Sequence, residues 1–320
     1  MAPQHKRKNI LIIKHGALGD MIFAQGAFQA IRDHHKEDNL ILLTTSPYAP
    51  LSQAMGLFDA IWIDDRPRPL SQPLRCLKLF KKLFQGRFDV IYDLQKSKRT
   101  RLYLKIMRLF FHPMPWWCGK FPECHFPYTD SHQNTFHIYD RHAKMLDVAG
   151  INHVPLPNVQ WLTSDIRKFH LPENFFLFVP GCSPKQLHKR WAPENYGHVA
   201  QFLVSKKITP VIIGRSDEAE AIKIIKNMCP QAISLMDQTT LFDLGPLGRS
   251  AVGALGHDTG PMHIIAVTGC PSLLLFSYSS IPEHYAPRGF NAEVIHRNNL
   301  KDISPEEVIE KISTSLLKNV

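Results

Sequence analysis

A chain of 320 residues that is 44% hydrophobic and 21% charged is long enough for two domains of about 150 residues each. No apolar run approaches the roughly 18 residues that a membrane-spanning helix needs, and the basic, polar start Met1–Asn9 lacks the apolar core of a signal peptide, so a cytoplasmic location is expected. The formal net charge of +10 is concentrated in one stretch. Between Arg75 and Arg108 eleven Lys or Arg face only Asp89 and Asp93, a local +9 that leaves the rest of the chain nearly neutral.

In chain order, Asn9–Lys14 reads as a strand, Asp20–His34 as a helix, Asn39–Thr44 and Ile61–Ile63 as strands, Leu74–Gln85 as a helix and Asp89–Leu94 as a strand. Continuous apolar runs such as Ile10–Ile13 imply strands buried on both faces, and alternation with helices implies a parallel sheet. The first strand runs into Lys14-His15-Gly16-Ala17-Leu18-Gly19-Asp20, a glycine-bearing turn. Its G-x-x-G spacing is not a dinucleotide fingerprint, and Thr44-Thr45-Ser46 stands where an acidic ribose partner would end the second strand. Asp20 at the mouth of the sheet fits two roles equally, a helix cap or a carboxylate that accepts a proton from a substrate alcohol.

The basic stretch has its own pattern. Leu74, Leu77, Phe80 and Phe84 recur at helical spacing while Arg75, Lys78 and Lys82 share another face, as in a basic amphipathic helix. Tyr103–Trp117 then mixes Lys105 and Arg108 with Phe110, Phe111, Trp116 and Trp117, which suits an anionic membrane interface. A solvated helix face over a core stripe is the plainer reading. The charge also fits nucleic acid, but no helix-turn-helix, RNP-like or zinc-finger pattern accompanies it, so no nucleic-acid partner is expected.

Val154-Pro155-Leu156-Pro157-Asn158 reads as a linker, giving domains 1–157 and 158–320. The second repeats the alternation: a strand at Phe175–Val179, a helix after Pro193, a strand at Thr209–Ile213, a helix from Asp217, and strands at Ala251–Leu255 and Ser272–Phe276. The last helix, about Ser304–Lys318, opens with a Ser304/Glu307 capping box and could pack back on the N-terminal domain. Two open α/β domains facing one cleft are expected, with ligands at the carboxyl ends of strands.

Three loops of the second domain carry candidate chemistry. Cys182–Trp191 holds Lys185, Lys189 and Arg190, which can neutralise phosphates, or it is a solvated basic loop anchored by Trp191. Gly214-Arg215-Ser216-Asp217-Glu218 offers Glu218 to ribose hydroxyls or to a first helical turn. In Gly256-His257-Asp258-Thr259-Gly260-Pro261-Met262-His263, Pro261 opens a helix whose free N–H groups, such as those of Met262 and His263, favour a diphosphate. Gly260 allows close approach there, and Asp258 can reach a sugar hydroxyl; an ordinary strand-to-helix turn is the alternative. No Asp-x-Asp is present, which leaves cationic side chains and the helix dipole to hold a diphosphate, without a metal. Cys76, Cys118, Cys124, Cys182, Cys229 and Cys270 are scattered and read as reduced thiols, and Cys118, Cys124 and His125 as structural residues rather than metal ligands.

Asp258-Thr259-Gly260-Pro261-Met262-His263 with Gly269-Cys270-Pro271, Leu18-Gly19-Asp20 after the first strand, and Lys189-Arg190-Trp191, in that arrangement, resemble glycosyltransferase family 9, the ADP-heptose:lipopolysaccharide heptosyltransferases. The resemblance implies a GT-B fold, with an acceptor-binding N-terminal and a nucleotide-sugar-binding C-terminal Rossmann-like domain. It implies Asp20 as general base, Lys189 as the donor-phosphate cation, Glu218 as ribose ligand, Asp258 as heptose contact, and Thr259, Gly260, Met262 and His263 around the diphosphate. Acceptor contacts are expected at Lys14, Gln95, Lys98, Arg99 and Arg101. The implied chemistry is an inverting, metal-independent transfer from an ADP-sugar, with no cofactor, to a phosphorylated lipopolysaccharide core at the cytoplasmic face of the inner membrane. The chain departs from the pattern at Lys96, where many relatives have glycine, and at Ser277-Tyr278-Ser279-Ser280. A relative using another nucleotide sugar, such as an N-acetylhexosamine donor, and a non-catalytic nucleotide or anionic-polymer binder remain the alternatives.

Overall fold

A computed structural model describes residues 7–182 and 190–317. By internal contacts these form two compact units, Met1–Pro157 and Asn158–Val320.

In the first unit six strands, β1 (Asn9–Ile13), β2 (Asn39–Thr44), β3 (Ala60–Ile63), β4 (Val90–Asp93), β5 (Trp116–Gly119) and β6 (Phe126–Pro127), form one sheet in the order β3-β2-β1-β4-β5-β6. Every pairing is parallel, with Ile10 opposite both Leu40 and Val90. The apolar runs of β1 and β2 are buried throughout because helices cover both faces. On one face Leu11, Ile13, Ile41 and Leu43 join Leu79 and Leu83 of helix Pro73–Gln85 and Tyr103, Leu104 and Met107 of helix Lys98–Phe110.

The expected helix Asp20–His34 is two helices, Leu18–Phe23 and Gln25–His34, divided at Ala24. Gly26 opens the second, and a Cβ there would overlap the Pro155 carbonyl, so the chain approaches closely at this point. Helix Pro73–Gln85 also differs from expectation. Its core stripe is Cys76, Leu79 and Leu83, whereas Leu74 and Leu77 are exposed at 73% and 65%. Helices Ala49–Ala54, Lys98–Phe110 and Ile138–Asp147 and strands β5 and β6 were not legible in the sequence.

The second unit builds its sheet from β7 (Phe175–Val179), β8 (Thr209–Ile212), β9 (Ile233–Ser234), β10 (Gly253–His257), β11 (Ser272–Phe276) and β12 (Ala292–His296), in the order β12-β11-β10-β7-β8-β9 and again all parallel. Counted from its own first strand, each unit therefore has the order 3-2-1-4-5-6, the doubly wound arrangement that gathers ligands where the first and fourth strands lie side by side. Those positions are the carboxyl ends of β1 and β4, and of β7 and β10. Ala251 and Val252, expected in a strand, instead end helix Leu244–Ser250 and lead into β10.

The last helix, Pro305–Lys311, continues as a wider turn over Ile312–Leu316. Its Ser304 Oγ accepts the Glu307 N–H at 3.2 Å, but the Glu307 carboxylate turns outward to Arg297 at 2.6 Å, so only half of the expected capping box forms. Val308, Ile312 and Leu316 lie in the second unit's own core with Phe176, Tyr196 and Leu203. This apolar stripe packs against helix Pro193–Ser205 of the same unit. No helix among the described residues is long and apolar enough to cross a membrane.

Candidate functional site

The turn after β1 is tightly specified. The His15 N–H donates to Gln95 Oε1 at 2.7 Å, tying the end of β1 to the end of β4. Gly16 adopts a φ of 109°, and a Cβ there would overlap the Tyr48 ring, so both conformation and space require glycine. Helix Leu18–Phe23 follows, with Asp20 in its first turn. The N-cap is Ala17 rather than Asp20, which stands at N3 and whose Oδ2 accepts the Ala17 N–H at 2.9 Å. The same carboxylate keeps a side-chain exposure of 44%, and its Oδ1 lies 3.8 Å from Lys14 Nζ. Lys14 is buried, which pulls its ammonium down in pKa while Asp20 and Asp93 hold it up. A half-exposed carboxylate with a buried cation behind it can do both jobs at once.

Of the expected acceptor contacts, Lys14 stands beside Asp20, Gln95 is hydrogen-bonded to the His15 N–H, and Lys98 is exposed at the start of helix Lys98–Phe110. Arg99 does not present its fork to a ligand. Its Nε and Nη2 donate to the two oxygens of buried Asp64 at 3.0 and 2.8 Å, and its Nη1 donates to the Pro67 carbonyl. Arg101 is likewise paired, with Glu123 at 2.6 Å. Both were expected to meet the acceptor; in the structure each is paired with a carboxylate of its own unit, a contact that no sequence spacing announces.

Asp64, just after β3, is a hub the sequence did not reveal. Besides Arg99 it accepts from Tyr103 Oη at 2.6 Å and the Arg66 N–H at 2.9 Å, and His15 Nε2 lies 3.0 Å away outside hydrogen-bond geometry. Burial opposes its charge, but His15, Arg99 and Tyr103 outweigh burial and hold the carboxyl far below the usual carboxylate range. Asp93 at the end of β4 is the opposite case. Burial pushes its carboxyl up, although its Oδ1 accepts the Gln95 and Lys96 N–H groups at 3.1 and 2.9 Å.

In the second unit the described donor residues follow β8 and β10, the two strands that flank β7. Glu218, after β8, is buried, and its Oε2 accepts the Arg215 N–H at 2.7 Å while Oε1 stands 3.8 Å from Arg190. Burial raises its pKa against that N–H. A Cβ at Gly181, beyond β7, would overlap the Glu218 carboxylate, so this glycine holds the loop after β7 against the loop after β8.

After β10, Thr259 stands at the N-cap position of helix Gly260–Val267 without a side-chain capping bond, and Pro261 lies in its first turn. The His263 N–H donates to the Thr259 carbonyl at 3.1 Å. It is therefore not one of the free groups expected there; those belong to the preceding turn, where Gly260 and Met262 carry N–H groups and Pro261 has none. The His263 imidazole instead meets Asp258 Oδ1 at 2.9 Å, holding that carboxylate at the helix entrance, while the Met262 side chain is buried against Gly256. Lys185 and Lys189 lie outside the described residues.

The cysteines are buried free thiols. Burial pushes Cys118 up to about 12 and Cys124 up to about 11, and Cys118 Sγ donates to the Met145 carbonyl. His125 Nδ1 accepts the Trp117 N–H at 3.3 Å, so these residues are used internally.

Two doubly wound parallel units in one chain make this a GT-B protein, and one that resembles sugar-transferring enzymes of that fold. The E. coli ADP-heptose LPS heptosyltransferase II structure superposes with a TM-score of 0.77 at 20% identity, over 97% of this chain and 99% of that one. The chain belongs to glycosyltransferase family 9 (heptosyltransferase), whose family model matches residues 152–313, half of the chain, and it is accordingly a glycosyltransferase. It is 23% identical to lipooligosaccharide heptosyltransferase 2 of Campylobacter jejuni over 333 aligned positions, covering 94% of this chain and 96% of that protein. It is also 23% identical to lipooligosaccharide heptosyltransferase 2 of Haemophilus influenzae over 153 residues, a match that spans 41% of this chain and only 44% of that relative.

Proposed function

We propose that the enzyme transfers heptose from ADP-heptose to a lipopolysaccharide inner-core sugar in one inverting displacement that needs no metal. The observation that carries the reading is Asp20. It is a half-exposed carboxylate fixed at the carboxyl end of β1 by the Ala17 N–H and backed by buried Lys14. As the acceptor oxygen attacks the anomeric carbon, Asp20 takes its proton, the bond from that carbon to the diphosphate breaks, and ADP leaves with the electron pair. In this reading the N-terminal unit holds the acceptor and the C-terminal unit the donor. Glu218 meets the ribose, Asp258 the heptose, and the backbone of Thr259–Met262 together with Lys189 the diphosphate. The donor and acceptor classes are supported by the names of the relatives, and metal independence by a sequence that offers cations but no Asp-x-Asp. Incubation with ADP-heptose and truncated lipopolysaccharides is expected to add the mass of one heptose, at a rate insensitive to EDTA. Transfer from an N-acetylhexosamine nucleotide alone would overturn the donor assignment, and ADP binding with no transfer at all would leave only a binding module.

The enzyme is also proposed to work against an anionic membrane, as a peripheral protein of the inner membrane's cytoplasmic face. Leu70, Leu74 and Leu77 are exposed beside Arg75, Lys78 and Lys81, which combines inserting side chains with charge that attracts lipid headgroups. Lys82 is excluded from this set because its ammonium sits 4.6 Å over the Trp62 ring. The triple variant Arg75→Glu, Lys78→Glu, Lys81→Glu is expected to lose co-sedimentation with phosphatidylglycerol vesicles while keeping its fold. Unchanged partition would return this face to ordinary solvated surface.

A further inference from the structure

The connection after β4 turns on Lys96, whose φ of 52° lies in the left-handed region that glycine occupies freely and lysine does not. Backbone strain of this kind persists where the surroundings fix it, and it gathers at working sites. Here the fixing contact is the Lys96 N–H donating to Asp93 Oδ1. The side chain is partly buried, and its ammonium has no hydrogen bond or ion pair among the described residues. It stands instead in the field of other cations.

The charged groups whose field it feels come from several elements. Lys14 lies at the end of β1, Lys120 beyond β5, and Arg141 and His142 on helix Ile138–Asp147. Arg141 is held in place by donating to the Phe136 and Asn134 carbonyls. His142 is buried and kept neutral, chiefly by that burial and then by the charge of Lys96. Two carboxylates near Lys14 and Lys96 oppose their charge. Asp20 faces Lys14 at 3.8 Å, and buried Asp93 is pushed toward its neutral form. An enclosed ammonium without a partner is unfavourable, and a bound anion is what removes the penalty.

We infer that Lys96 and Lys14 form an anion-recognition site beside Asp20 that receives a carboxylate or phosphate of the acceptor sugar, making Lys96 a residue that determines acceptor specificity. The inference rests on the first unit's binding the acceptor. Docking an anionic group there would fix the acceptor sugar next to the carboxylate proposed to deprotonate it. Burial and the neighbouring cations draw the Lys96 ammonium down to about 8, so it is still charged at neutral pH and loses its proton just above.

Lys96→Gly suits the test because glycine adopts this backbone conformation without strain, and Lys96→Arg restores the charge. Three lipid-free core oligosaccharides serve as acceptors: intact, dephosphorylated and carboxyl-reduced. Each is measured for KM and kcat, and by calorimetric titration without donor. We expect Lys96→Gly to raise the acceptor KM at least tenfold with a much smaller change in kcat, and Lys96→Arg to recover most of it. The loss should shrink for the acceptor whose recognised anion has been removed, which tells phosphate from carboxylate. In wild type the acceptor KM should rise as pH passes about 8, a rise that Lys96→Gly lacks. Equal effects of Lys96→Gly on all three acceptors, or no effect, would overturn the inference. Absence of transfer with binding that still depends on Lys96 would overturn the transferase reading and leave the anion site standing.

Discussion

An Asp20→Asn variant is expected to lose about 10²–10⁴-fold in kcat, with donor and acceptor KM changed far less. The amide keeps an oxygen able to accept the Ala17 N–H, so the start of helix Leu18–Phe23 survives while the basic lone pair is gone. Asp20→Ala should lose as much activity and in addition about 0.5–1.5 kcal/mol of stability, because the hydrogen bond from the Ala17 N–H goes with the carboxylate. The comparison separates Asp20's two roles. If Asp20→Asn turns over at the wild-type rate while Asp20→Ala is merely less stable, the residue only braces the helix start and another group takes the acceptor proton. The measurement is initial-rate kinetics on protein whose melting curve shows it folded.

The largest stability effect is expected at Asp64. Removing it as Asp64→Ala strands the Arg99 guanidinium, the Tyr103 hydroxyl and the Arg66 N–H around an uncompensated buried site. Breaking a buried ion pair from one side costs about 3–5 kcal/mol. That is a large part of the roughly 5–15 kcal/mol that holds a domain together. Because the two units need not unfold together, denaturant titration should follow each separately. Trp62, Trp116 and Trp117 report on the first unit, and Trp161 and Trp191 on the second. The midpoint of the first unit should fall while that of the second stays put.

The same carboxylate also shapes acid stability. Its folded pKa lies below the unfolded value near 3.9, so its contribution is complete above about pH 5 and is lost as pH falls from there toward the folded pKa. Asp64→Asn should flatten the acid limb of the first unit's stability. Asp243 does the corresponding work in the second unit. Burial opposes its charge, but Lys168, Ser164 and Thr240 hold it down at about 2, so that unit's acid limb should survive the Asp64 change.

Much of this protein is written locally. Runs such as Ile10–Ile13 and Phe175–Val179 can only be strands covered on both faces, and their alternation with helices implies two parallel α/β units. The loops at Asp20, Glu218 and Asp258 announce themselves because glycine, acid and helix-opening residues must follow one another closely there. Side-chain partnership is different. Asp64 meets Arg99 across 35 residues and His15 meets Gln95 across 80. Neither separation has a period that a sequence reading can detect.

Tertiary structure alone decided which stripe of a helix goes inside. Helix Pro73–Gln85 carries two apolar stripes, Leu74, Leu77, Phe80 and Phe84 in one and Cys76, Leu79 and Leu83 in the other. The sheet covers the second and leaves Leu74 and Leu77 outside. It also decided that Arg99 pairs with Asp64 and that Lys96, one loop residue among many cations, lies in the field of buried Lys14. The physical reason is common to all these cases. Backbone periodicity is set by neighbours in sequence, but burial and charge compensation depend on which strands lie side by side, and only the folded order of the sheet fixes that.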